Sequence, residues 1–279
     1  MRFAFPVVAI LLLLSVGLLF VSFEQKPEEY LRVDFLDVGQ GDAVLVTSPS
    51  GIQMLVDAGR DTSVLRSLGG VMDFSDRKID VIVATHPDAD HIGGFPDVLE
   101  RYDVDMVLGV NAHSDTDIFE SFTESMKNEG AVLVEAQRGQ VIDLGAGVFV
   151  QVLFPYVGTT ITGNDASVIL KIIYKESEVL LTGDAGKGVE EHLVLREGSM
   201  LESDVLKIGH HGSKTSTSNI FLEVVAPVIS IISAGENNRY KHPNAEVLET
   251  IAGAGVPHLG TYEEGTVTLF SDGKNIWRR

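Results

Sequence analysis

Four side chains that can bind metal ions stand close together between Thr85 and Gly94, namely His86, Asp88, Asp90 and His91. One loop can aim the first two at one ion and the last two at a second ion. Two cations about 3.5–4 Å apart can activate a shared water and stabilise a displaced oxyanion. Capping of the following helix would explain one of the carboxylates, but neither of the histidines. The spacing therefore predicts a two-metal hydrolytic centre.

The flanking elements are predicted to place this segment at the edge of a sheet. Residues 79–84 are largely apolar and rich in β-branched side chains, which indicates a buried strand. After two glycines, the apolar positions Phe95, Val98, Leu99 and Tyr102 follow a helical spacing. In open α/β architectures, binding sites gather where strands end and helices begin. The segment with the four ligand-type residues is expected at such a place.

Two later segments carry similar residues after a predicted strand. Residues 178–182 form a short strand that ends at Gly183 and Asp184. A glycine there allows close approach of a second backbone, and the carboxylate of Asp184 can bridge two ions. Residues 204–208 form another strand and lead to His210 and His211. One of these histidines should bind the second ion while the other orients that ligand or meets the substrate. The sequence leaves open which is which.

The segment THPDADHIGG resembles the first motif of the metallo-β-lactamase superfamily, H-x-H-x-D-H, with Asp88 in place of the second histidine. Four further motifs resemble the extracytoplasmic metallo-β-lactamase-like domain of ComEC-type competence proteins: DVGQGDA (37–43), TGDA (182–185), GHHGSKTSTS (209–218) and NRYKHP (238–243). The resemblance extends from about Arg32 to Arg279. It implies an α/β fold, the four-layer αβ/βα sandwich, with two divalent metal ions, Zn²⁺ or Mn²⁺. It also implies that Asp184 bridges them.

The resemblance exposes one departure from the usual ligand set. Most members of the superfamily place a histidine ligand near residues 163–167, where this chain has Asn164 or Asp165 instead. The first ion would then be held by His86, Asp88 and Asp184, with an oxygen from this segment. Such an oxygen-rich site should accept Mn²⁺ more readily than an all-imidazole site would.

The resemblance further assigns catalytic and supporting roles. Asp90 would orient the attacking water in addition to binding metal, and His242 would donate a proton or stabilise the transition state. The residues expected to meet the substrate or to support the ligands are Gln40, Asp42, Asp57, Lys214, Arg239 and Lys241.

Composition limits the classes of partner. The chain has 279 residues, no cysteine and a formal net charge of −19. This length suits one large domain, and the missing cysteine excludes disulfides, a thiolate nucleophile and cysteine metal ligands. A surface so negative disfavours tight non-specific binding to duplex nucleic acid. An anionic substrate must therefore be attracted by the metal ions and by local basic residues.

The N-terminus contains an uncharged apolar stretch from Phe3 to Phe23. As a helix it would span about 30 Å, the thickness of a bilayer core. The alternative is a cleaved signal peptide, although no clear small-residue cleavage site follows. Residues 1–23 are therefore predicted to be a signal anchor or signal peptide, 24–31 a linker and 32–279 the hydrolase domain. The domain would lie outside the cell membrane on a single-pass anchor, or would be secreted.

The activity implied is hydrolysis of a phosphodiester, with single-stranded or degraded DNA as the substrate class. With one apolar span the chain cannot itself form a DNA-conducting pore, so it would act as a free-standing surface nuclease or beside a separate channel protein. Two other classes stay open: hydrolysis of another ester or amide (phosphocholine, lipid or lactam), and a non-catalytic metal-binding surface module.

Overall fold

The computed structural model describes residues 29–109, 114–159 and 162–278. The strands are β1 Leu31–Phe35, β2 Val44–Thr47, β3 Gln53–Val56, β4 Lys78–Ala84, β5 Asp103–Gly109, β6 Val132–Glu135, β7 Val141–Asp143, β8 Val148–Phe154, β9 Ile169–Tyr174, β10 Ser177–Leu181, β11 Val205–Lys207, β12 Ile229–Ile232, β13 His258–Gly260, β14 Val267–Ser271 and β15 Ile276–Arg278. The α-helices are α1 Ser63–Val71, α2 Ala89–Ile92, α3 Phe95–Arg101, α4 Asp117–Glu129, α5 Lys187–Glu197, α6 Asn219–Val225, α7 Ala245–Gly253 and α8 Thr261–Glu264.

Two mixed sheets organise these elements. The first has the order β15-β14-β1-β2-β3-β4-β5-β6, and the second has the order β13-β12-β11-β10-β9-β8-β7. In the first sheet β3 to β6 run parallel, and in the second β10 to β13 do so. The remaining neighbours are antiparallel. Each sheet therefore has one block whose carboxyl ends lie together on one edge.

Apolar residues on both faces of each sheet set the layers. The inner faces share one cluster, to which Val83 and Leu181 belong. Helices α1, α3 and α4 cover the outer face of the first sheet, where Phe95 joins a cluster with Ile82. Helices α5, α6 and α7 cover the second sheet in the same way. Because both faces of β4 are covered, its sequence reads as a nearly continuous apolar run. The predicted mixed α/β class is confirmed.

The elements differ from the sequence-based prediction mainly where they are short. Asp90 and His91 lie on α2, a four-residue helix, rather than in an open loop. Four residues are too few to give a periodic apolar signal. His258 begins the three-residue edge strand β13.

The apolar stretch Phe3–Phe23 lies outside the described residues. Among the residues that are described, none of the helices combines the length and apolar character needed to cross a bilayer.

Candidate metal centre

The ligand-type side chains lie where parallel strands of the two sheets end. In the first sheet, Asp57 follows β3 and residues 86–91 follow β4. In the second sheet, Asp184 follows β10, and residues 210–211 follow β11. The carboxyl ends of parallel strands leave side chains free to converge. Here two such edges face each other, and they bring together segments far apart in sequence.

His86 is buried and held through its Nδ1 atom. That atom lies 3.1 Å from Thr85 Oγ1 and 3.3 Å from Ser167 Oγ. The Thr85 hydroxyl donates its own hydrogen to Asp57 Oδ2 at 2.7 Å, so it accepts from the imidazole. Burial, reinforced by the neighbouring His91, lowers the pKa of His86 to about 3. The ring is therefore neutral, with its proton on Nδ1 and the lone pair of Nε2 available to a metal ion.

His91 projects from α2 and is oriented by Asp57. Its Nδ1 atom lies 2.7 Å from Asp57 Oδ2, while the Thr85 backbone N–H donates to Asp57 Oδ1 at 2.9 Å. Its Nε2 atom lies 3.3 Å from Asp184 Oδ2. Burial opposes the charged ring, but Asp184 and Asp57 outweigh it and raise the pKa of His91 well above its ordinary value. The carboxylates around His91 therefore favour a positive charge at this position, which a proton supplies when no metal ion is bound.

His211 repeats the arrangement from the second sheet. Its Nδ1 atom lies 3.0 Å from the Ser233 carbonyl oxygen and 3.1 Å from Asp42 Oδ1. A backbone carbonyl only accepts, so Nδ1 carries the proton. The Nε2 atom faces two carboxylates, at 3.5 Å from Asp184 Oδ2 and 3.6 Å from Asp90 Oδ2. Burial opposes the charged ring, yet Asp184 and Asp42 raise the pKa of His211 to about 9.

Beneath His211 lies a buried ion pair that sequence reasoning missed. Lys207, on β11, donates from Nζ to Asp42 Oδ2, and both residues are buried. Burial alone would raise the pKa of Asp42, but Lys207 and then His211 outweigh it and hold it at about 2. The available signal was a lysine inside the apolar run of residues 205–208. A buried lysine is rarely left without a partner.

Three carboxylates complete the cluster. Asp184 is buried, and its backbone N–H donates to Ser167 Oγ at 3.0 Å. Burial would raise its pKa, but His211 and His91 hold it well below the usual range. Burial would likewise raise the pKa of Asp90, but His211 and His91 hold that pKa below its usual range. Asp88 is half exposed, and its Oδ2 lies 3.8 Å from His86 Nε2.

The arrangement fits metal ions. Within each of two overlapping groups, the potential ligand atoms all lie within 4.8 Å of one another: His86, His91 and Asp184, and Asp90, His91 and His211. Among the described residues, four buried atoms at this point have no hydrogen-bond partner: Nε2 of His86, His91 and His211, and Oδ1 of Asp184. In all three imidazoles a hydrogen bond fixes Nδ1, and Nε2 points inward. Histidine ligands of metal ions are usually oriented in this way.

The structure separates the two adjacent histidines. Both have left-handed backbone angles, with φ of 47° at His210 and 54° at His211, which aims both rings at the cleft. His210 lies on the outer side, with Nε2 3.6 Å from Asp184 Oδ2 and 3.2 Å from Asn164 Nδ2. Asp165 is exposed, and its Oδ1 accepts from the Gly186 backbone N–H at 3.0 Å. Asn164 thus lies beside the cluster, whereas Asp165 supports a neighbouring turn.

The loop after β12 forms one wall of the cleft. The ring of His242 lies 5.7 Å from that of His210 and 6.4 Å from that of His211. Burial, with the charges of His211 and His210, lowers the pKa of His242 to about 4. Arg239 and Lys241 are exposed on the same loop. His242 therefore lies at the entrance, next to cationic side chains.

The two remaining candidates lie at the rim. Gln40 Oε1 accepts from the Gly235 backbone N–H at 3.2 Å, which ties the 37–43 segment to the loop after β12. The Lys214 side chain is exposed, while its backbone N–H donates to Asn244 Oδ1 at 2.8 Å. Gln40 thus has a structural contact, and Lys214 adds positive charge near the cleft.

Comparison with known sequences identifies the family. A sequence profile described as the metallo-beta-lactamase superfamily matches residues 36–236. The chain belongs to the metallo-β-lactamase superfamily. Among solved structures, this superfamily member is similar to the metallo-beta-lactamase fold protein YhfI from Bacillus subtilis, with TM-score 0.58, 14% identity, and 89% of this chain and 100% of that one covered. It is also similar to CmlA, a diiron beta-hydroxylase from Streptomyces venezuelae, with TM-score 0.55, 14% identity, and 92% and 55% covered. At such identities the likeness concerns the fold.

The curated relatives include competence proteins of the ComEC type. ComE operon protein 3 of Bacillus subtilis is 32% identical over 253 residues, covering 85% of this chain and 32% of that protein. Competence protein ComA of Neisseria gonorrhoeae is 33% identical over 254 residues, covering 89% and 34%. The chain therefore spans about a third of the length of these relatives. The predicted resemblance to ComEC-type competence proteins is confirmed.

Proposed function

We propose that this metallo-β-lactamase superfamily member is a metal-dependent phosphodiesterase that cleaves single-stranded DNA at the outer face of the membrane. One observation carries the metal dependence: three buried imidazoles are each held at Nδ1, Nε2 of His91 and of His211 faces Asp184, and a ligand atom of His86 lies within 4.8 Å of one of Asp184. A cluster of anionic and neutral ligands that is buried and otherwise unsatisfied suits divalent cations.

The ligands divide between two ions by position. We assign His86, Asp88 and Asp184 to the first ion, and Asp90, His91 and His211 to the second, with Asp184 shared. His211 is preferred to His210 because its Nε2 faces both Asp90 and Asp184. Asn164 is preferred to Asp165 as the oxygen donor of its segment, since Asp165 already serves the Gly186 amide. The first site is then rich in oxygen, which favours Mn²⁺.

The chemistry needs a nucleophile, a held phosphate and a proton for the leaving oxygen. Two divalent cations held here would supply Lewis acidity and lower the pKa of a water molecule. We assign to Asp90 the orientation of the attacking water, and its side chain is 20% exposed. His242 is neutral near pH 7, because its pKa is about 4. An arriving phosphate anion would raise that pKa, so that His242 can donate to the leaving oxygen.

The substrate class rests on charge and on the relatives. In a chain with a formal charge of −19, three exposed cations lie on segments beside the cleft: Lys214, Arg239 and Lys241. Local positive charge in an acidic protein suits a few phosphate contacts rather than a long duplex. One curated relative is named competence protein ComA, which favours DNA. An outer location relies on the anchor predicted for Phe3–Phe23, and a separate channel protein would be the natural partner.

An activity panel tests the proposal. The full chain in detergent is assayed with bis-p-nitrophenyl phosphate, labelled single-stranded DNA and nitrocefin, each with Mn²⁺ and with Zn²⁺. We expect turnover of both phosphodiesters, its loss in Asp90→Ala, and no effect of His192→Ala, which changes an exposed histidine on α5. Turnover of nitrocefin alone would contradict the proposal in favour of a lactamase. Two bound metals without turnover of any substrate would favour a binding module.

A further inference from the structure

A stacked column of side chains extends from the metal centre to the surface. The ring of His242 packs against the ring of Tyr240, with centroids 5.7 Å apart and planes 23° apart. The Arg239 guanidinium carbon lies 4.7 Å from the Tyr240 centroid, and Arg239 Nη2 donates to Tyr240 Oη. Through His242, the column contacts His210 and His211. It therefore connects the reacting centre with solvent in two steps.

The outer end of this column is open. Tyr240 is 44% exposed, and the Arg239 side chain is also exposed. Aromatic rings and guanidinium groups are planar surfaces on which another planar group can stack. The backbone below is held firmly, since Asn238 Oδ1 accepts from the backbone N–H groups of Tyr240 and His242 at 3.2 and 3.0 Å. The Arg239–Tyr240 pair, here called the platform, thus has a fixed base.

The electrostatics of the chain favour a ligand held by stacking. A formal charge of −19 opposes long-range attraction of polyanions. In the described segments after β11 and β12, Lys214, Arg239 and Lys241 are exposed cations. Nucleobases stack on aromatic rings and on guanidinium planes with little dependence on sequence. Duplex DNA hides these base faces, whereas a single strand presents them.

We propose that the platform binds the nucleobase next to the phosphate held at the metal centre, and so selects single-stranded over duplex polynucleotides. The outer face of the Arg239 guanidinium group and the exposed part of the Tyr240 ring beside it supply the stacking surface, and Lys241 contacts an adjacent phosphate. This proposal rests on the phosphodiesterase function above and names how that site recognises its substrate. The platform is a binding element, not part of the group that reacts.

A double-mutant cycle between protein and ligand tests it directly. All proteins carry Asp90→Ala, so that the ligand is not consumed. Binding is measured by fluorescence anisotropy for a short labelled oligothymidine and for an abasic strand with the same number of phosphates. Replacing a stacked aromatic residue weakens nucleic-acid binding by about 5- to 150-fold per base. We expect the protein that keeps Tyr240 to bind oligothymidine more tightly than the abasic strand by a factor in that range. The Tyr240→Leu variant should bind both strands with equal affinity.

Two matched variants serve as controls. Tyr240→Phe keeps the ring and should retain most of the preference. Phe74→Leu removes a second exposed aromatic residue, one that also lies near a guanidinium group, that of Arg77 at 5.7 Å. Phe74 precedes β4, at the end of the strand opposite the metal centre, so this change should have no effect.

The outcomes separate the two proposals. Equal binding of the two strands by the Tyr240 protein, or a preference that survives in Tyr240→Leu, would overturn the platform. A lack of binding to either strand would also overturn it. Base-dependent binding together with no turnover in the otherwise native chain would leave the platform in place and refute the phosphodiesterase function.

The salt dependence gives a second test. Single-strand binding loses affinity with a log–log slope of about −0.7 for each phosphate neutralised. Three local cations therefore predict a slope no steeper than about −2, because stacking supplies the rest of the affinity. A markedly steeper slope would show that phosphate contacts carry the binding and would contradict the platform.

Discussion

Removal of the Lys207 charge should damage metal binding more than folding. Lys207 is the buried cation that neutralises Asp42, and Asp42 in turn contacts His211 Nδ1 at 3.1 Å. In the metal-free protein His211 is protonated at neutral pH, because its pKa is raised to about 9. In metal-free Lys207→Met, protonated His211 therefore still supplies one positive charge next to Asp42. A metal ion that binds His211 displaces a proton from its ring and removes that charge.

The magnitudes follow from this order of events. Loss of one hydrogen bond to a charged group costs about 1.5–3 kcal/mol of unfolding free energy, less than the about 3–5 kcal/mol for a carboxylate left with no partner. When metal binds, His211 becomes neutral and Asp42 keeps no adjacent cation. Changes in residues that hold a metal ligand reduce affinity by about 10- to 100-fold. We expect a loss of that size for the ion at His211.

The assay pairs urea unfolding of the metal-free chain with competition against a fluorescent zinc chelator. The control is the double variant Lys207→Met with Asp42→Asn, which removes the carboxylate that lacks a partner. It should recover most of the stability and part of the metal affinity. Equal metal affinity in Lys207→Met and the parent protein would refute the reasoning. The reasoning would also be refuted if the double variant lost as much stability and metal affinity as Lys207→Met and Asp42→Asn lose when their separate effects are added.

Three further outcomes are expected. Asp57→Asn removes the carboxylate that orients His91, so zinc affinity should fall about 10- to 100-fold in the same competition assay; unchanged affinity would contradict that role. Gly41→Ala should reduce both stability and metal affinity in the same two assays, because a Cβ there would collide with a carbonyl oxygen of α2 and the residue has φ of 143°; a silent change would contradict the close packing. Glu197→Gln should lower the unfolding free energy at pH 7 by about 1.5–3 kcal/mol, because hydrogen bonds from Arg138 hold the pKa of Glu197 below its usual value. The difference in unfolding free energy between the two proteins, measured by urea unfolding, should shrink as the pH falls from the ordinary pKa of Glu197 through its lowered pKa in the folded protein. A difference that does not change with pH would contradict this prediction.

The sequence predicts the main strands of the fold well because buried strands are recognisable as short apolar runs rich in β-branched residues. The run at 79–84, predicted to be a buried strand, lies in β4, and apolar clusters cover both of its faces. The short elements α2 and β13 were not predicted. Their positions depend on packing against neighbours rather than on a local pattern.

The candidate site is predictable where ligand types cluster locally. His86, Asp88, Asp90 and His91 stand within one short segment, and the structure brings Asp184 and His211 to them from the second sheet. The sequence could not separate His210 from His211, since their difference lies in where two left-handed residues aim their rings. Nor could it identify Asp42, 165 positions away, as the partner of Lys207.

The most direct test of the account is the metal content of the full chain, measured by elemental analysis after stripping and reloading with Zn²⁺ or Mn²⁺. We expect two ions per chain in the native protein, fewer than two in Asp184→Ala, and two in His192→Ala. Absence of stoichiometric metal after reloading, or full occupancy in Asp184→Ala, would contradict a two-metal centre built around Asp184.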